Sequence, residues 1–415
     1  MISRTLGKGP FRLSAATVAL TGSPETGDES TVQIAVNTLP LLENQAGAER
    51  YTRNIITQLI RNDPTHTYHL VLSRVNQDLY RPASGSFRET VVDLDTRRRP
   101  VRILAEQVYL PRLLKRQNDD LLFSPCNIGP RRVPVPMVIT LFDLHWLLFP
   151  KLFSPLRLAY LRRALDWSAR RSAAVLTISE NSKKDLIRLL GVPEEKITVT
   201  YPGLDPFFEQ TPSAEEQEAL RGKYGLQQPF ILFVGQMHRR KNVLRLIRAF
   251  RLLKKQTAVP HRLVLAGGAG DGSEEIMDDI RGPATEDILV TGGLPDSAVR
   301  ALYRLASCLV YPSLYEGFGL PVLEAMAGGC PVITSNVSSL PEVAGPAALL
   351  VDPLREDELA AAMYRVLSEP GLANALREKG WQQAHKFSWE NTARGTVAVF
   401  NGVLGVHRKS KRPGR

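Results

Sequence analysis

Within YPSLYEGFGLPVLE, residues 311–324, two carboxylates stand eight positions apart, Glu316 and Glu324. The pattern predicts a strand running into Tyr311, a loop with Gly317 and Gly319, and a helix whose first turn suits Pro321. Glycine removes the side chain that would block a ligand, so backbone at Gly317, Phe318 and Gly319 can approach one closely. N–H groups at the helix start, with the positive dipole end, favour an anion such as a diphosphate by roughly 0.3–1 kcal/mol. Glu316 falls in the loop and Glu324 one turn into the helix. Two acceptor-only carboxylates so placed can bind different hydroxyl groups of one ligand, which points to a polyol such as a sugar and a ribose. The plainer reading is a turn with two solvated glutamates ahead of a core helix.

A second candidate is FVGQMHRRKNVLRLIRAF at 233–250. A strand ends at Val234, Gly235 makes the turn, and Arg239, Arg240 and Lys241 precede a helix beginning near Asn242. Cations there can neutralise a diphosphate leaving group as its charge develops, by preorganised electrostatics rather than proton transfer. A solvated charge run is the alternative. The first half of the chain offers Gly47 in NQAGAERYTRNI, and Asp143 and His145 in ITLFDLHWLLFPKLFSP. His145 either lines a cleft or packs. Ser182 and Asp185 have capping-box spacing, a structural role.

The elements that must position these residues alternate, short β-branched runs with longer amphipathic stretches, as in βαβ units and parallel sheets. Strands are predicted at 32–37, 68–73, 121–125, 135–143, 173–179 and 196–203, with helices over Ala48 to Arg61 and Asn181 to Leu190. After a polar stretch with Pro206 and Pro212 the pattern restarts, with strands at 229–236, 262–268, 287–293, 307–313 and 330–335. The chain is therefore read as α/β, with a disordered leader (1–30), a first domain (31–208) and a second (209–386). A helix over 387–404 crosses back to the first domain, and a basic tail (405–415) follows. Ligands of open parallel sheets bind beyond the carboxyl ends of the strands, which places the site between the domains.

At 415 residues the chain exceeds one ordinary core. Its 43% hydrophobic and 23% charged residues are those of a globular protein, and no apolar run reaches the ~18–20 residues of a spanning helix. Cys126, Cys308 and Cys330 form no metal-ligand pair and read as packing residues in a reducing, cytoplasmic setting. Of the net charge of +11, five charges lie in the last eight residues and others cluster at Arg97 to Arg99 and Arg157 to Arg171. No zinc pattern, ribonucleoprotein motif or heptad accompanies them, which disfavours nucleic acid. Along 156–171, Leu158, Leu161 and Leu165 share one face, for packing on the domain or for contact with anionic lipid.

EGFGLPVLE and its surroundings resemble the Glu-x7-Glu motif of the retaining family 4 glycosyltransferases. The resemblance implies the GT-B architecture, two Rossmann-like domains with a central cleft. It implies that Glu316 contacts the transferred sugar and that Glu324 holds the nucleotide ribose. Amides of Phe318, Gly319 and Leu320 would meet sugar hydroxyls and phosphate. Arg240 and Lys241 in the RKN loop are similar to the pair holding the donor diphosphate, beside Gly235. Gly47 resembles the glycine turn facing the phosphate, although the family often has two consecutive glycines there. Asp143 matches an acceptor-side aspartate, but Phe142 occupies the position of the family's histidine and His145 lies two residues beyond Asp143. A same-face reaction is implied, with no cofactor and no metal. The branch resembled builds bacterial surface polysaccharides, making GDP-mannose the favoured donor, with UDP and dTDP sugars left open, and a glycan or polyprenyl-linked glycan the acceptor, membrane contact being peripheral at the inner face. The competing readings are a GT-B epimerase or phosphorylase, which would need further acid and base residues or release a sugar phosphate, and a non-catalytic basic binding protein, which would have lost the glutamates or the cation pair.

Overall fold

A computed structural model describes residues 32–41, 46–281 and 285–411. The leader expected at 1–30 and the last four residues of the basic tail lie outside the described residues. In the first half the strands are β1 (Val32–Asn37), β2 (His66–Ser73), β3 (Arg88–Val92), β4 (Leu121–Ser124), β5 (Met137–Leu141), β6 (Ala174–Thr177) and β7 (Ile197–Val199). They form one parallel sheet in the order β3-β2-β1-β4-β5-β6-β7. The second half supplies β8 (Phe230–Val234), β9 (Arg262–Ala266), β10 (Ile288–Gly292), β11 (Cys308–Tyr311), β12 (Val332–Ser335) and β13 (Ala348–Val351). Their order is β10-β9-β8-β11-β12-β13, again parallel.

These are two Rossmann-like sheets, each with its order reversing beside its first strand, between β1 and β4 and between β8 and β11. Such a switch point opens a crevice at the strands' carboxyl ends. Central strands are buried on both faces and read as continuous apolar runs, as in FILFV of β8, where every residue is buried. β3 and β13 were not foreseen: RETVV begins with two charged residues and ALLV has a single β-branched residue.

The helix Trp389–Lys411 continues past the expected end at 404 and packs on the first sheet's domain. Ser388 forms a parallel bridge with Leu204, and Leu204 N–H donates to Phe387 O at 2.9 Å. The crossing is close at Gly203, where a Cβ would stand 2.0 Å from the backbone nitrogen of Trp389. Further along, Phe400 meets Phe123 of β4 edge-on at 5.2 Å, and Trp389 meets Tyr51 at 5.7 Å.

Along the helix Pro155–Arg171, Leu165 is fully buried and Leu161 packs partly against the core cluster of β5 and β6. Two of the three leucines on that face are thus used for packing, whereas Arg157, Arg162, Arg163, Arg170 and Arg171 are exposed. The three cysteines are buried and unpaired. Among the described residues no helix is long and apolar enough to cross a membrane.

Phe400 is completely buried beside Phe123, and truncating a buried phenylalanine typically costs ~3–5 kcal/mol. Phe400→Ala should lower the urea midpoint of unfolding accordingly. An unchanged midpoint would show that the crossing helix adds nothing to the first domain.

Candidate active site

β11 delivers Tyr311 to the carboxyl edge of the second sheet, and the loop Pro312–Gly319 carries the chain to the helix Leu320–Ala327. Gly319 sits at φ +117°, a backbone conformation natural only to glycine, and its carbonyl accepts from Val322 N–H at 3.0 Å. The loop is fixed by hydroxyls from the segment after β12. Ser339 Oγ donates to the carbonyls of Glu316 at 2.9 Å and Phe318 at 2.7 Å, while Ser338 Oγ accepts from Glu316 N–H at 3.1 Å.

The second loop leaves β8 through Gly235, at φ +145°. Arg239–Lys241 form one 3-10 turn, and Asn242 at φ +61° redirects the chain into the helix Val243–Gln256. The helix expected near Asn242 therefore starts one residue later. Asn242 Nδ2 donates to Pro312 O at 3.1 Å and Pro353 O at 2.6 Å, and Leu314 N–H donates to Arg240 O at 2.8 Å. These bonds press the two loops together.

Glu316 is the point at which they meet. Its Oε2 lies 2.8 Å from Arg240 Nη1, and its Oε1 lies 2.6 Å from Lys241 Nζ. Ser313 Oγ and Tyr311 OH donate to the same Oε1 at 2.6 and 3.0 Å. Burial would raise the Glu316 carboxyl, but Arg240, Lys241 and their hydrogen bonds carry it well below the ordinary glutamate value. Burial depresses the Lys241 ammonium to about 8, the attraction of Glu316 opposing the shift. Arg239 points elsewhere: it is exposed, lies 3.5 Å from Glu275, and its N–H donates to Asp271 at 2.8 Å.

Glu324 is also buried. Its Oε2 accepts from Tyr303 OH at 3.1 Å, and its Oε1 is paired with Arg50 of the first domain. Burial raises its carboxyl despite Arg50 and Tyr303.

From the first domain, Asp143 leaves β5 and closes on this loop. A Cβ at Gly317 would stand 3.0 Å from Asp143 Cβ and Oδ2, so the glycine permits the approach. His145 Nδ1 lies 2.5 Å from Asp143 Oδ1, with the ring 5.8 Å from Phe153. Burial would raise the Asp143 carboxyl, yet His145 and Arg240 hold it below its ordinary value. Phe142 is buried against Tyr51, with ring centroids 5.0 Å apart. Further ties cross between the domains. Tyr315 OH donates to Asp185 at 2.9 Å, and Glu342 accepts the N–H groups of Glu180 and Asn181 at 2.9 and 3.0 Å.

The structure thus brings together Glu316, Arg240, Lys241, Gly317 and Asp143 with its partner His145, and Glu324 stands one turn into the helix that follows the loop. Phe318 is buried, its ring 5.5 Å from Phe387, and Leu320 opens the helix. Gly47 differs from expectation: it lies inside the first turn of the helix Ala46–Asn62, exposed, with nothing within 4 Å of a Cβ position. Ser182 is not the cap of its helix. Ser179, extended at the end of the strand segment, accepts from Ser182 N–H, and Asp185 instead serves Tyr315 and Arg188. Sequence reasoning missed Arg50, Tyr311, Ser313 and the Ser338-Ser339 pair, although Tyr311 and Ser313 lie within the quoted motif.

Two parallel-sheet domains facing each other across such a site define the GT-B class of enzymes. The chain matches the family described as "Glycosyl transferases group 1" over residues 216–383 and "Glycosyltransferase Family 4" over 46–207. It is 34% identical over 310 residues to O-antigen chain mannosyltransferase B of Escherichia coli, covering 73% of this chain and 81% of that protein. To the serotype-specific mannosyltransferase WbdA of the same organism it is 26% identical over 408 residues, 97% of this chain but 46% of the longer relative. The solved sucrose-phosphate synthase of Thermosynechococcus elongatus shares the fold, with TM-score 0.69 at 19% identity over 91% of this chain and all (100%) of that one. The chain belongs to the family 4 glycosyltransferases, and it is an enzyme of that class.

Removing one member of a buried ion pair typically costs ~3–5 kcal/mol, so Glu316→Gln should destabilise the protein at neutral pH. The folded-state pKa of Glu316 lies below its unfolded value. Its contribution is therefore complete above the unfolded value and is lost as pH falls toward the folded one. Urea unfolding at about pH 5, 4 and 3 should show a shallower acid decline for Glu316→Gln than for the wild type. Equal slopes would mean that this carboxylate is not held as an ion by the fold.

Proposed function

We propose that the protein transfers mannose from GDP-mannose, with retention of anomeric configuration and without a metal, to a glycan or polyprenyl-linked glycan acceptor. The observation that carries this reading is Glu316 held between Arg240 and Lys241 against the first-domain Asp143, with Glu324 on the adjoining helix. The mannosyltransferase names of both Escherichia coli relatives support the choice of sugar.

In this reading Glu324 accepts the ribose hydroxyls and Glu316 a hydroxyl of the transferred sugar. Arg240 and Lys241 face the diphosphate and stabilise the charge that grows on it as the bond between the anomeric carbon and the phosphate oxygen breaks. The acceptor oxygen bonds to that carbon on the same face, and its proton passes to the departing phosphate oxygen. Glu316 is a poor nucleophile for a double displacement because both its oxygens are already engaged by Arg240, Lys241, Ser313 and Tyr311. Asp143 and His145 form the acceptor side, and Phe318, Gly319 and Leu320 offer backbone amides at the helix start.

Among nucleotide sugars, GDP-mannose should raise the melting temperature most and release GDP when a polyprenyl-linked acceptor is added. Glu316→Gln and Lys241→Ala should each abolish release at a temperature where circular dichroism shows them folded. Full activity in either variant rejects that residue's role, and stabilisation by no nucleotide sugar rejects the reading as a whole.

We place the enzyme peripherally at the inner, cytoplasmic face of the membrane, through the exposed arginines of the helix Pro155–Arg171. Basic residues near an anionic surface contribute ~1 kcal/mol each. Replacing both Arg162 and Arg163 with glutamate should reduce co-sedimentation with phosphatidylglycerol vesicles. Binding that is unchanged in the variant excludes this face.

A further inference from the structure

Apart from Gly47, the donor-side residues discussed so far come from the second domain, but the carboxylate assigned to the ribose has its counter-ion in the first. Arg50 stands one turn into the helix Ala46–Asn62, within AGAERYTRN. Its Nη1 pairs with Glu324 Oε1, its Nη2 lies 3.0 Å from Asp296 Oδ1, and its guanidinium carbon lies 5.3 Å from the Phe208 ring centroid. The Glu324 carboxylate is surrounded by Tyr303 OH, and by the charges of Asp296 and Asp205. Tyr311 is a further ionisable neighbour. Apart from Arg50, these groups are acidic or neutral. Arg50 therefore supplies the positive charge for the buried Glu324 carboxylate, and its planar fork ties that carboxylate to the exposed Asp296 at the rim.

We propose that Arg50 is a positioning residue for the nucleotide, reaching across from the first domain to hold Glu324 ionised and aimed so that its remaining lone pairs accept the ribose hydroxyls. The inference rests on the reading of Glu324 given above and adds its regulation: affinity for the nucleotide then depends on the first domain being seated on the second. A carboxylate oxygen has two lone pairs, so Oε1 can keep Arg50 and Oε2 keep Tyr303 while each accepts one further hydrogen bond. Without Arg50, burial and the neighbouring Asp296 would both favour the protonated form of Glu324.

The test is titration of the full chain with GDP, and with UDP in parallel, by calorimetry at about pH 7.5 and pH 5.5, alongside steady-state transfer. For Arg50→Ala the expected result is affinity weakened by about tenfold or more at the higher pH and weakened further at the lower, where the wild type changes little. KM for the donor should rise by more than kcat falls, because the residue acts on binding. Arg50→Lys, which restores charge but not the fork, should recover most of the lost pH tolerance and part of the affinity. Wild-type binding and turnover in Arg50→Ala overturn the proposal. So does an equal loss at both pH values that lysine does not rescue, which would mark Arg50 as a packing residue alone. Glu324→Gln separates the two claims. If it binds as the wild type does, the ribose reading of Glu324 fails and the role of Arg50 with it. If it loses affinity while Arg50→Ala does not, only the role of Arg50 fails. Melting curves of all three variants identify any loss that is due to unfolding.

Discussion

The site depends on one buried carboxylate held by two cations from another loop. Glu316, Arg240 and Lys241 are largely removed from water, and charges in that position are tolerated only when well paired and fully hydrogen-bonded. Ser313 and Tyr311 complete the coordination of Oε1, and the Arg240 guanidinium also donates to Tyr315 O at 3.1 Å. The β8 loop and the β11 loop must meet for any of these bonds to form. That requirement explains the special backbone at Gly235, Asn242 and Gly319, and the serines that support the loop from beneath. The cation pair is thereby fixed in place on Glu316 by the fold itself.

The same cluster governs how the two domains sit. Gly317 lacks the side chain that would collide with Asp143, so the first domain can come against the loop that carries Glu316. Around that point the ties differ in kind. Tyr315 to Asp185 is a neutral donor on a carboxylate, Arg50 to Glu324 and Asp296 is ionic, and Glu342 occupies the N-terminus of the helix Glu180–Leu190. The last places a negative charge from one domain at the positive end of a helix dipole in the other. None of the three involves a large apolar surface.

Much of this was legible in the sequence because the relevant signals are local. The strands buried on both faces are continuous apolar runs, and the Glu316 to Glu324 segment holds its glycines, proline and carboxylates within one strand-loop-helix unit. What escaped was set by distant partners or by weak local signals. Arg50 looks like one more charge on a helix that also carries Arg53 and Arg61; its partners lie 246 and 274 residues away. Strand β3 opens with Arg88 and Glu89, and Glu89 is buried only because Arg81 binds it with two hydrogen bonds of 2.8 and 2.9 Å. Ser179 and Ser182 compete for the same cap, and the end of β6 decides between them: Ser179 is still extended, at φ −163° and ψ 158°, so its hydroxyl faces the first turn.

At Phe142, where the chain departs from the family pattern, the side chain has a packing role. Its ring is buried edge-on to Tyr51, and Tyr51 in turn meets Trp389 of the returning helix. At that position the side chain joins the sheet, the helix Ala46–Asn62 and the crossing chain through edge-on aromatic contacts. A histidine there would bring a polar ring into apolar surroundings, with a cost unless it found hydrogen-bond partners. The polar side chains lie one and three positions along, at Asp143 and His145, where the chain has left β5 and the two pair at 2.5 Å. Asp143 remains against Gly317 and within the field of Arg240. The aromatic at 142 therefore contributes rigidity to the wall, and the charge that the wall presents to the second domain comes from the residue beside it.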